Sequence, residues 1–76
     1  MQLNVTVISF PDGSSKWMLK GTDVSDVITD WKESLTEQRL KQLANCAFTV
    51  GEVIMPESDF HQLPERQRYR EKVILS

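Results

Sequence analysis

Met1-Gln2-Leu3-Asn4-Val5-Thr6-Val7-Ile8-Ser9-Phe10 opens the chain, and its reading decides the fold. Leu3, Val5 and Val7 fall on one side of an extended backbone, and Gln2, Asn4 and Thr6 on the other. Period-two alternation rich in β-branched residues predicts a half-buried strand. Pro11-Asp12-Gly13-Ser14-Ser15 follows as a turn, in which proline fixes φ and glycine accepts a positive φ. Lys16-Trp17-Met18-Leu19-Lys20 predicts the returning strand, with Trp17 and Leu19 facing inward. Residues 1–20 therefore read as a β-hairpin.

Outward from the hairpin, Gly21-Thr22-Asp23 ends the second strand and starts a helix, with Thr22 or Asp23 as N-cap. Val24, Val27, Ile28, Trp31 and Leu35 follow helical spacing and fill a stripe roughly 100° wide. Beyond Leu35 the phase slips, since Leu40 and Leu43 lie roughly 120° from the centre of that stripe. Ser34-Leu35-Thr36-Glu37 is also a capping-box pattern. These features predict a helix over 23–34 and a short second one over 36–44; the alternative is a single bent helix. Phe48 and Val50 share a strand face, and Gly51 suggests a bulge or a division into strands 46–50 and 52–55. Pro56-Glu57-Ser58-Asp59-Phe60 places proline at a first helical position and acids in a first turn, which predicts one turn of helix. Lys72-Val73-Ile74-Leu75 reads as a last strand, although the pattern over 64–75 leaves strand and helix both open.

The expected fold class is α+β, one domain over residues 1–76. A small mixed β-sheet, built from the N-terminal hairpin plus C-terminal strands, packs on one main helix beside a short second helix. That order resembles the β-grasp fold of ubiquitin-like proteins, and some letters agree. The chain opens Met1-Gln2 with Val5 in the first strand, its helix begins near residue 23, and Phe48 to Val53 carries an internal Gly51. Ser58-Asp59-Phe60 is similar to the Ser-Asp-aromatic turn before that family's last strand, and Val73-Ile74-Leu75 is similar to that strand. Two features depart from it. The chain ends Leu75-Ser76, without the Gly-Gly tail of conjugated members, and helix continues through 36–44 where the family has a loop. The resemblance implies a non-conjugated adaptor.

Composition narrows the function classes. Cys46 is the only cysteine, which excludes an intrachain disulfide scaffold and favours a reducing, cytoplasmic setting. The first ten residues lack the pattern of a signal peptide, and no apolar run approaches the roughly 20 residues of a membrane span. His61 is the only histidine, so no metal site with matched ligand spacing is expected, and no cofactor. Cys46 has no basic neighbour to activate it and is expected to be buried. Gly13, Gly21 and Gly51 stand singly and build no phosphate-cradling loop. An enzyme is not expected.

Two charged surfaces remain. Asp23, Asp26, Asp30, Glu33 and Glu37 are spaced three, four, three and four. On a continuous helix they fall within a sector of roughly 80°, about 135° from the apolar stripe, in a row about 21 Å long. A solvated outer face is the plain explanation. Against it, Asp26–Asp30 and Glu33–Glu37 are like-charge pairs four apart, and only Glu37 has a well-placed base, Lys41. The second surface is Arg66, Arg68, Arg70 and Lys72, which at period two would line one strand face, with Tyr69 available to stack on a base. A charged guard on an edge strand explains that pattern equally well.

Three functions follow from these surfaces. The first is a non-enzymatic adaptor or regulator that presents the acidic helix to a basic protein. The second is a small phage-encoded or mobile-element-encoded inhibitor of a host nucleic-acid-binding complex. The third is a nucleic-acid-binding module using the C-terminal arginines, which an acidic body disfavours: residues 1–60 hold nine acids and five bases. Self-association, acidic helix to basic strand, is a further mode.

Overall fold

The computed structural model describes residues 1–43 and 45–69. Its elements are β1 (Gln2–Ser9), β2 (Ser15–Leu19), α1 (Val24–Glu33), α2 (Glu37–Leu43), β3 (Thr49–Pro56) and α3 (Glu57–His61). The chain is thus α+β, as its patterning predicts. The strand order is β2-β1-β3, with β1 antiparallel to both neighbours. A single parallel bridge joins Trp17 to Arg68. There the Trp17 amide donates to the Gln67 carbonyl at 2.6 Å and the Tyr69 amide donates to the Trp17 carbonyl at 2.9 Å. The strand expected over 72–75 lies outside the described residues. Among those described, no helix is long and apolar enough to cross a membrane.

The hairpin forms where the turn residues put it. Asp12 Oδ1 accepts from the Ser14 amide at 2.9 Å and from Ser14 Oγ at 2.5 Å, and Gly13 takes φ 90°, which side chains resist. The register sets Thr6 opposite Met18 and Val7 opposite Trp17. Even-numbered β1 residues therefore share a face with Met18, and this is the face that α1 covers. Ile8, Phe10, Met18, Val27 and Trp31 form the buried cluster, with Phe48, Leu35 and Tyr69 packed against it.

The expected inward direction of Trp17 and Leu19 is corrected here. Leu19 is 47% exposed and Trp17 only half-buried, whereas Met18 between them is fully buried. The physical reason is that β1 is central and buries Ile8 on its even face as well as Val5 on its odd one, so alternation does not decide which face the helix takes. Val5 is also buried, at 1% exposure, on the opposite face in register with Leu19 and Val53. Phe60 of α3 is the large buried side chain on that side, where it lines a cleft with Leu19 and Arg68.

α1 starts at Asp23, whose carboxylate accepts from the Ser25 amide at 3.0 Å, and it stops at Ser34. The break between two helices is real. The cap of α2 is Thr36 rather than Ser34, since Thr36 Oγ1 accepts from the Arg39 amide at 3.2 Å and Ser34 is spent closing α1. β3 runs through Gly51 without a bulge, with Gly51 in register opposite Val7, so neither a bulge nor two strands occurs. Pro56 caps α3 from outside instead of occupying its first turn. Cys46, expected to be buried, is exposed. Its amide is held by the Leu43 carbonyl at the end of α2, and Phe48 takes the place on the core.

Candidate functional site

α1 positions four of the five acids. Val27 and Trp31 anchor one side of the helix in the core, which by helical geometry turns Asp26 and Glu33 to the opposite side and leaves Asp23 and Asp30 on the flank between. Glu37 is the first residue of α2, beyond the Ser34–Thr36 break. The row is therefore four acids on one helix, about 15 Å long, not five on a continuous face.

The four acids differ in what they already do. Asp23 is the helix cap, and the hydrogen bonds from the Ser25 hydroxyl and amide hold its carboxyl below the usual aspartate value. Asp30 is half-buried and accepts from the Tyr69 hydroxyl at 3.2 Å. Asp26 and Glu33 are exposed. Glu33 is also the last residue of α1, where the helix dipole disfavours an acid.

Of the basic set, Arg66 and Arg68 are described, and these two do not share a strand face. Pro64 to Gln67 is a turn, closed by the Gln67 and Arg68 amides donating to the Pro64 carbonyl at 2.9 and 3.1 Å. Arg66 is exposed beside a cleft of about 450 Å³ that also holds Asp12, Lys16 and Trp31. Its carbonyl accepts from the Lys16 ammonium. Arg68 points to the other side, into a cleft of about 610 Å³ with Leu19, Phe60 and His61, and Nη1 donates to the His61 carbonyl at 3.2 Å. Arg68 Nε is buried without a hydrogen-bond partner among the described residues. Tyr69, expected as a base-stacking platform, is half-buried against the core with its hydroxyl on Asp30. Arg70 and Lys72 lie outside the described residues. The physical reason for Arg66 is Pro64: its turn breaks, up to Gln67, the extended backbone that period-two alignment requires.

Sequence reasoning therefore missed a link between its two surfaces: Tyr69 of the second grips Asp30 of the first. Residues 39 positions apart with no shared motif give no signal for such a pair. The larger cleft was likewise invisible, because Phe60 and Arg68 meet Leu19 only once the chain crosses under the sheet. The open edge of β3 had a weak signal, since Glu52 is the only charge between Thr49 and Met55.

No family model matches the chain, and neither a curated protein nor a solved structure does. The chemistry must be read from the side chains themselves. Among the described residues no group of three or more His, Cys, Asp or Glu side chains is gathered to hold a metal ion. His61 Nε2 lies 3.5 Å from Glu57 Oε1 one helical turn away, and both side chains are well exposed. This is an exposed surface pair on α3.

Asp12 is the most constrained acid outside the row. Its Oδ2 accepts from Trp31 Nε1 at 3.1 Å, while Oδ1 holds Ser14. Partial burial pushes its carboxyl up, but the Ser14 and Trp31 hydrogen bonds and the charge of Arg39 outweigh that, leaving it below the usual aspartate value. A carboxyl lowered in the folded state adds stability above the unfolded value of about 4 and loses it as pH falls through the folded value. Melting temperature should therefore decline from about pH 5 downward, and Asp12→Asn should flatten that decline. Equal acid slopes in the two proteins would show that Asp12 does not couple the turn to Trp31.

Proposed function

We propose that this chain is a non-enzymatic protein-interaction domain, an adaptor or small regulator, that presents the outer face of α1 to a basic protein surface. The observation that carries this reading is the exposure of Asp26 and Glu33 on a helix whose opposite side is anchored by Val27 and Trp31. Helix stability explains an acid at Asp26, near the N-terminus, but not one at Glu33, near the C-terminus. A cationic partner accounts for both. A small inhibitor of a nucleic-acid-binding complex would use the same face, and the identity of what it captures separates the two roles. The nucleic-acid module is not favoured, because Arg66 and Arg68 open onto different clefts.

The test compares the native chain with the Asp26→Lys/Glu33→Lys double variant as bait in lysate of its source, read by quantitative mass spectrometry. A charge-matched control carries Asp59→Lys/Glu65→Lys, away from α1. The expected result is at least a tenfold loss of a specific protein in the first variant and retention in the second. Equal capture by all three baits would reduce the acidic row to a solvated face. Asp30 is left untouched, because its bond to Tyr69 would confound the result with destabilisation.

A further inference from the structure

We infer that the outer edge of β3 pairs with the same edge of a second copy, joining two three-stranded sheets into one about a two-fold axis at Val53. The main-chain pattern is the first support. The Lys20 amide donates to the Asn4 carbonyl at 3.0 Å, so even-numbered residues of β1 turn their polar groups toward β2. Odd-numbered ones then bond β3, as the Glu57 amide does to the Met1 carbonyl at 2.9 Å. In the β3 register this leaves Val50, Glu52 and Ile54 with amide and carbonyl directed away from β1. No strand pairs with that side among the described residues.

Side chains on the strand agree with an occupied edge. Ile54 is 70% exposed, Val50 52% and Val53 39%. Natural sheets guard long edges with several charges, prolines or bulges, and β3 has one internal charge and no bulge. The opposite edge of the sheet is engaged at its middle, where Gln67 and Tyr69 bond Trp17. Among the described residues the sheet thus has one wholly open edge, and such a sheet closes as a dimer instead of growing into a filament, which points to a second copy as the occupant. α3 does not block the approach, since Phe60 leads beneath the sheet toward Leu19.

Register follows from charge. An antiparallel pair must match outward-directed residues with each other, which puts a single residue on the axis. Centring on Glu52 would set Glu52 directly against Glu52, a repulsive cross-strand pair. Centring on Val53 instead sets Glu52 opposite Ile54 and Val50 opposite Pro56, with about six main-chain hydrogen bonds. Glu52 keeps Lys20 of its own chain as a counter-charge at 4.0 Å. Because the axis is perpendicular to the sheet, both α1 helices lie on the same side. The dimer would offer two acidic faces together, although its existence does not depend on what α1 binds.

The contact is one strand wide, at the low end of the roughly 1,000 Å² that a specific interface needs, so the dimer should depend on concentration. Sedimentation velocity from micromolar to millimolar chain is expected to show a monomer–dimer equilibrium. Ile54→Lys, at an exposed position, should lower the association constant at least tenfold while the far-ultraviolet circular dichroism stays native; Val50→Lys is the second variant should the first misfold. Val53→Cys in a Cys46→Ser background should form an intermolecular disulfide, because a non-hydrogen-bonded pair on the axis holds its Cα atoms about 4.5 Å apart. A chain monomeric at all concentrations, or association indifferent to both lysines, overturns the dimer. Cross-linking at Gly51→Cys but not at Val53→Cys overturns the register.

Discussion

Replacing Trp31 by alanine should remove most of the folding free energy of the chain. Its indole is 7% exposed, stacks on Phe10 with ring centroids 4.7 Å apart, and meets the edge of Phe48 at 5.4 Å. Truncating a buried aromatic of this kind costs about 3–5 kcal/mol. Whole domains are stable by only about 5–15 kcal/mol, and a chain this short falls toward the lower figure. Loss of the Trp31 Nε1 bond adds to this, because Asp12 then holds only Ser14. Urea denaturation followed by circular dichroism measures the effect. Trp17→Ala is the internal control: Trp17 is half-buried and outside the cluster, so about 1 kcal/mol is expected. Equal losses at the two tryptophans would mean that the core does not lie on the face that α1 covers.

Phe60→Ala is expected to cost nearly as much, about 3–4 kcal/mol, though Phe60 sits on a helix of only five residues. A helix that short has no stability of its own and persists because its side chain is buried. Phe60 is 6% exposed and is the buried side chain that α3 contributes. The residues after α3 depend on it as well, since Arg68 reaches back to the His61 carbonyl and the Arg68–Tyr69 segment bonds Trp17. The variant should therefore lose amide protection at Trp17 and Tyr69 sooner than at Val5 or Val7 in β1. A cost below about 1 kcal/mol, the ordinary level for a surface change, would show that the Val5 side of the sheet is not a second packed layer.

The elements that were legible in the sequence are those with a local cause. The hairpin was readable because Asp12 and Gly13 dictate a turn whatever surrounds them. α1 was readable because Val24, Val27, Ile28 and Trp31 keep one period, and the break before α2 because that period slips. What stayed hidden depends on contacts between distant residues. Met18 displaced Trp17 from the core because the face α1 covers is chosen by the whole sheet, and β1 can bury either side. Gly51 looked like a bulge, but its pairing opposite Val7 is set by the length of β1. At the candidate site, the spacing of Asp23, Asp26, Asp30 and Glu33 was readable on one helix. Their separate duties were not, since Ser25 and Tyr69 divide the row into two engaged acids and two exposed ones. The arginines misled for a related reason. Period two describes a face only if the backbone is extended, and Pro64 turns it at Arg66.

The most direct measurement is an amide correlation spectrum of isotope-labelled chain, recorded in buffer and again in concentrated lysate of its source. Binding through α1 should broaden or shift the amides from Asp26 to Glu33, and added salt should reverse the change. Perturbation confined to Lys16, Arg66 and Arg68, or a spectrum unchanged by lysate, would contradict an acidic docking face on this helix.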